Sequence, residues 1–252
     1  MREVDIATDL HPRHHGVMRA LGLLSNSIPI EGWCLVGGMM VLVAARAAGH
    51  TLPRPEQTKD GDIVVDVCAN HEAVSRVAYS LRSFGYDIPK EAWDREGIAR
   101  CTFVSGTTQI DVLCPDDAAD VDLGTSDGIR SLAIPGGRRA LELSEPIRIH
   151  YAEEARDVEL RVPLLPGAII VKASAALDQR TAPQHRHAQD LGALLAIIDD
   201  LRAARNGLSS QDISVLISLR DRLLDDRDPA WEGLSTEHRQ RAQAALRFLT
   251  ST

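Results

Sequence analysis

The segment "QTKDGDIVVDVC", residues 57–68, limits what this chain can become. It sets Asp60, Asp62 and Asp66 into a run of Ile and Val that otherwise reads as a buried β-strand. Side chains alternate across a strand. Asp60, Asp62, Val64 and Asp66 therefore share one face, and Gly61, Ile63, Val65 and Val67 take the opposite, core-facing side. Two carboxylates one step apart in a poorly solvated cleft do not both stay ionised without a counter-charge. A divalent cation supplies one, and magnesium favours one or two carboxylates plus substrate phosphate oxygens over a full protein cage. The competing reading is that the aspartates open an exposed edge strand, where charge blocks aggregation. A D-x-D alone leaves both readings open.

Three further features bear on the choice. In "LVGGMM" a strand runs through Gly37-Gly38 into an apolar helix, which offers backbone N–H groups to an anion. Tight strand-to-helix turns also use glycine for steric reasons alone. In "TTQIDVLC", Asp111 lies between Ile110 and Val112, so it faces away from its apolar neighbours and can join the first pair from an adjacent strand. In "AIIVKASAAL", Lys172 is a lone cation in an apolar helical stretch. It either snorkels to solvent or reaches a phosphate.

Along the chain, helical spacing covers residues 11–27 and 72–84. A short strand at Trp33–Val36 leads through the glycines to a helix ending at Gly49. A hairpin is expected over residues 98–113, turning at Ser105-Gly106. The segments "RRALELSEPIRIHY" and "VELRVPLL" read as further strands, and only helices are expected after Pro166, including residues 211–224 and 236–249. The expectation is an α+β fold with a catalytic core over residues 1–165 and a helical domain over 166–252.

The 252 residues carry a formal net charge of -8, so no global field draws the chain to nucleic acid. A polynucleotide partner needs a local basic patch, for which "QRTAPQHRHAQ", with Arg180, His185, Arg186 and His187, and the Arg138-Arg139 pair are the candidates. Each also reads as an ordinary loop or turn. His185 and His187 lack a partner set at metal-ligand spacing. Trp33, Trp93 and Trp231 are too dispersed for a stacking platform. Cys34, Cys68, Cys101 and Cys114 form no C-x-x-C pair and read as buried, reduced thiols. No apolar run approaches the ~20 residues of a membrane span, and the first residues lack a secretion pattern, so a cytoplasmic protein with no membrane partner is expected.

The order Gly-Gly, T-x-D-x-D and strand aspartate resembles the DNA polymerase beta-like nucleotidyltransferase superfamily. The longer set "LVGG", "TKDGDIVV", "QIDVL", "VPLLPGAIIVKASAALDQR" and "QDLGALLAI" resembles its AbiEii branch, the toxin half of bacterial abortive-infection and toxin–antitoxin pairs, over residues 30–200. The resemblance implies a polymerase beta-like core, a mixed β-sheet flanked by helices, followed by a helical bundle. It implies that Asp60, Asp62 and Asp111 bind Mg²⁺ or Mn²⁺, with Asp111 helping to activate the attacking hydroxyl. It places Gly37, Gly38, Thr58, Lys59, Lys172 and Asp190 around the nucleoside triphosphate. The chain departs from the pattern at Gly61, usually aliphatic, at Glu56, often arginine, and at Arg186-His187, usually Lys-Asp.

The implied activity is transfer of a nucleotide from an NTP to an acceptor hydroxyl, with RNA such as tRNA as acceptor and an antitoxin protein as partner. Phosphoryl chemistry of this kind needs positioning and charge neutralisation more than a protein nucleophile. Two alternatives use the same residues: an antibiotic-modifying small-molecule nucleotidyltransferase, compatible with the acidic balance, and a non-catalytic nucleotide-binding module.

Overall fold

A computed structural model describes residues 1–6, 14–52, 60–118, 128–151, 157–178 and 184–251. Thr58, Lys59 and Arg180, named above, lie outside the described residues.

The main sheet is built around the aspartate segment. β1 (Arg2–Asp5) and α1 (His15–Ser27) precede β2 (Trp33–Val36), which feeds directly into α2 (Gly37–Ala47). β3 (Gly61–Val65) follows, then α3 (Ala73–Ser83), β4 (Ala99–Arg100), β5 (Thr102–Ser105), β6 (Thr108–Pro115), β7 (Ile129–Arg130) and β8 (Leu132–Ile134). The strand order is β2-β3-β6-β5, with β8 pairing β6 beyond the end of β5. β3 runs antiparallel to β2 and parallel to β6. It is therefore a central strand, and the protective edge-strand reading of its aspartates does not apply. Ile63, Val64 and Val65 are all buried, as expected of a strand covered on both faces.

One face of this sheet is closed by α1. A Cβ on Gly61 would lie 2.6 Å from Cγ1 of Val17 and 2.8 Å from Cδ1 of Ile110. Glycine at this position is thus a packing requirement of α1, and the strand is tightly covered there. The other face carries Asp62, α2 and α4 (Gly137–Glu142).

The segment "RRALE" is helical, contrary to the strand expected over residues 138–151, and the strand β9 (Ser144–His150) begins only afterwards. The cause is tertiary. Asp116 accepts hydrogen bonds from the backbone N–H groups of Gly136 and Arg138, capping α4 from a distant loop. Gly137, Ala140 and Leu141 then bury one side of the single turn and a half. β9 is flanked by β1 and by β10 (Val158–Pro163) in a separate three-stranded sheet.

Among the described residues no strand follows β10. α5 (Leu165–Leu177), α6 (Gln184–Ala196), α7 (Leu201–Asn206), α8 (Ser210–Leu223) and α9 (Thr236–Leu249) complete the chain. α5 packs on α6 and α8, and also reaches α2 and α4, so the helical part closes over the sheet. Asp200 and Ser209 cap α7 and α8, the latter in a capping box with Asp212. No helix of the described residues is long and apolar enough to cross a membrane.

Candidate functional site

Asp62 and Asp111 are register partners on the parallel strands β3 and β6. In-register residues of neighbouring strands point to the same face, about 4.8 Å apart along the hydrogen-bonding direction. The alternation that sends Ile63 and Ile110 into the core therefore delivers both carboxylates to the face opposite α1. Asp62 is also the partner of Val36, the last residue of β2. The chain reverses from Val36 into α2 directly against the Asp62 carboxylate, and Gly37 adopts φ +70 there.

Burial and the charge of Asp111 push the Asp62 carboxyl up to about 7, with Lys172 opposing and Asp60 adding to the rise. Gln109 donates a hydrogen bond of 2.9 Å to Oδ2 of Asp111, while Oδ1 of Asp111 is buried and accepts none among the described residues. The pair thus consists of one carboxyl strained toward protonation and one with an unsatisfied oxygen. Both deficits are relieved by a shared cation, so the residues present fit a divalent metal. Among the described residues no group of three or more His, Cys, Asp and Glu stands close enough to cage a metal unaided. Asp60, immediately before β3, adds its charge to the rise at Asp62.

Lys172 comes from α5. It is 2% exposed, so it does not snorkel to solvent, and its Nζ lies 2.7 Å from Oδ2 of Asp190 on α6. Lys172 and Asp62 line one cleft of about 290 Å³, together with Gly37 and His187. Its remaining walls are apolar, drawn from β6, β8 and α5. Of the sequence candidates, Gly37, Asp62 and Lys172 meet in this cleft, Asp111 abuts it through Asp62, and Asp190 backs it through Lys172. Gly38 occupies the first turn of α2. Two larger depressions, of about 520 and 780 Å³, lie against α1 and α3 and contain none of these residues.

His187, in sequence one of the basic-loop candidates, lines the cleft. It sits in α6 one turn before Asp190, and that three-residue spacing on one helix face is the signal that could have found it. Burial, with Lys172 nearby, lowers its imidazole to about 4, and Nδ1 has no hydrogen-bond partner among the described residues.

Other candidates serve the fold. Asp66, the third strand aspartate, pairs with Arg138 at 3.1 Å, and Arg138 also reaches Asp117 at 2.8 Å. Arg139 binds the buried Asp212 at 2.7 Å. These ion pairs absorb both arginines of the expected basic patch. Three cysteines are buried, as expected, but Cys68 is exposed at the turn after β3. Burial holds the Cys34, Cys101 and Cys114 thiols up at about 12, 12 and 11, which leaves them un-nucleophilic at neutral pH. No protein-family model and no curated protein matches this sequence.

Proposed function

We propose that the chain is a metal-dependent nucleotidyltransferase with a polymerase beta-like core, moving a nucleotide from an NTP onto an acceptor hydroxyl. The observation that carries the reading is the in-register pair Asp62 and Asp111, with Asp62 set against the glycine start of α2 in a cleft that also holds Lys172. An oxygen of the acceptor hydroxyl bonds to the α-phosphorus, the bond to the bridging oxygen breaks, and pyrophosphate leaves.

Asp62 and Asp111 are the residues that would hold magnesium or manganese. A bound divalent cation supplies charge neutralisation at the phosphate oxygens and lowers the pKa of the attacking hydroxyl. Oδ1 of Asp111, which accepts no hydrogen bond among the described residues, would accept the hydroxyl proton. Gly37 allows phosphate oxygens to approach backbone N–H groups at the start of α2. Lys172, held by Asp190, offers a fixed positive charge in a low-dielectric setting where it acts strongly. The joint presence of these groups favours an active enzyme over a non-catalytic nucleotide-binding module.

RNA as acceptor, tRNA in particular, and growth inhibition relieved by an antitoxin partner follow from the AbiEii resemblance. The test incubates the purified protein with Mg²⁺, each α-³²P-labelled NTP and, in separate reactions, total RNA or an aminoglycoside. Wild type labels RNA with release of pyrophosphate and Asp62→Ala does not. Equal labelling by Asp62→Ala overturns the site, and labelling of an aminoglycoside in place of RNA transfers the reading to the small-molecule class.

A further inference from the structure

The cleft contains one hydrogen-bonding group that the proposed chemistry leaves unused. His187 lines it beside Lys172, and the ring's Nδ1 is buried without a partner among the described residues. A buried unsatisfied polar atom costs stability, about 1–3 kcal/mol, so the free protein gains nothing from an imidazole at this point. Leu, Val or Phe would fill the same volume without that cost. The rest of the surrounding wall is apolar, with Leu113 and Leu132 from the sheet and Val171 and Ala175 from α5. Such a surface suits the flat, uncharged part of a ligand and repels its anionic part.

We infer that His187 binds the nucleoside portion of the triphosphate, hydrogen-bonding it against the apolar wall while Lys172 faces the phosphates. The inference rests on the nucleotidyltransferase reading and adds to it a residue that positions substrate. Division of labour between the two side chains follows from their surroundings. Lys172 carries a charge fixed by Asp190 at 2.7 Å and can neutralise phosphate. His187, one turn earlier on the same helix as Asp190, is kept uncharged chiefly by burial and secondly by that ammonium, so it has a hydrogen bond to give and no charge.

The test compares two ligands by isothermal titration with Mg²⁺: the preferred NTP, and inorganic tripolyphosphate, which lacks the nucleoside. His187→Phe keeps the ring's bulk and removes its hydrogen bond; His187→Gln restores a hydrogen-bonding group. The expected result is that His187→Phe weakens NTP binding about 3–10-fold, the range of one neutral hydrogen bond, with tripolyphosphate affinity unchanged. His187→Gln recovers most of the loss. Equal weakening of both ligands makes His187 a phosphate contact and overturns the inference, as does an unchanged NTP affinity in His187→Phe. A wild-type protein that binds tripolyphosphate as tightly as every NTP also overturns it while sparing the metal and phosphate site. A wild type that binds neither ligand overturns the nucleotidyltransferase reading itself. Should His187→Phe fold poorly, the imidazole ¹⁵N resonances of wild-type His187 decide the matter, since they shift with NTP and stay in place with tripolyphosphate.

Discussion

Gly37 and Asp62 share a space that admits only one side chain. A Cβ on Gly37 would fall 1.8 Å from Oδ2 of Asp62 and 2.6 Å from its Cγ, and Gly37 has φ +70 besides. Gly37→Ala is therefore expected to lower stability by about 1–3 kcal/mol from backbone strain alone, with the clash added. Asp62→Ala removes the two closest atoms and leaves only the 2.9 Å contact to Cβ. The double variant should then be less destabilised than the sum of the singles, by on the order of 1 kcal/mol in a urea-denaturation cycle. Strict additivity would mean that the carboxyl does not sit against the start of α2.

Asp62 and His187 push stability in opposite directions with pH. Asp62 is raised to about 7 in the folded protein, against about 3.9 in an unfolded chain, so its folded form resists ionisation. The unfolded state releases the proton first, and stability falls as pH climbs from about 4 to 7 by up to about 1.4 kcal/mol per unit. His187 is lowered to about 4 from about 6.5, so the unfolded state takes the proton first and stability falls as pH drops through that window. The two slopes cancel between about 4 and 6.5. With EDTA present, Asp62→Asn should expose acid lability and His187→Gln should expose loss of stability toward neutral pH. Parallel pH–Tm profiles for the two variants would contradict the assignment.

Divalent cation should reverse the Asp62 penalty. A metal that binds the folded protein and not the unfolded chain raises Tm by mass action, at about 2.7 kcal/mol when present at 100 times its Kd. Mg²⁺ or Mn²⁺ is expected to raise the Tm of wild type at pH 7.5 by several degrees, and to leave Asp62→Asn and Asp111→Asn unmoved. Calorimetry with and without EDTA reads the difference, and an equal rise in all three proteins would place the metal elsewhere.

The strands of the site were legible because local alternation and burial agree. Trp33–Val36 and the segment around Ile63 read as strands from their own residues, and Asp111 flanked by Ile110 and Val112 had to leave the core. Alternation alone does not tell a central from an edge strand. That followed from β6 and β2 pairing on either side of β3, which are long-range events. The helix at Gly137–Glu142 reads locally as strand because its cap, Asp116, lies far away in sequence and is invisible to a local window. Lys172 stands out in sequence as a cation in an apolar helix, but its ion pair depends on α6 bringing Asp190 alongside. His187 was masked by its neighbours: within "QHRHAQ" it looks like one of several solvated basic residues, and only the burial of one helix face separates it from the exposed His185 and Arg186.

The buried pair Lys172–Asp190 separates stability from function. Lys172→Met removes the ammonium that lies beside the largely buried Asp190 carboxylate, which is expected to cost about 3 kcal/mol. Removing both charges, as in Lys172→Met with Asp190→Leu, replaces the pair with apolar volume and should restore most of the stability. Nucleotide transfer should stay absent in the double variant. Recovery of both stability and labelling would show that the lysine serves only the packing of α5 on α6.

Asp62 and Asp66 should divide cleanly by role. Asp66 is on the same strand face register as Asp62 by alternation, yet its carboxylate is held by Arg138 through two hydrogen bonds of 3.1 and 3.2 Å. Arg138 keeps a second partner in Asp117 at 2.8 Å, so Asp66→Ala leaves the guanidinium half-satisfied rather than stranded. The expected cost is about 1–2 kcal/mol of stability. RNA labelling at a temperature well below the variant's Tm should remain within about threefold of wild type, which is less than ~1 kcal/mol in transition-state terms. Asp62→Ala, which removes a group strained by its surroundings, should instead hold or raise Tm while abolishing labelling. An Asp66→Ala protein that is folded and inactive would move the metal site past the end of β3, and would leave Asp62 as a buried carboxyl with no task.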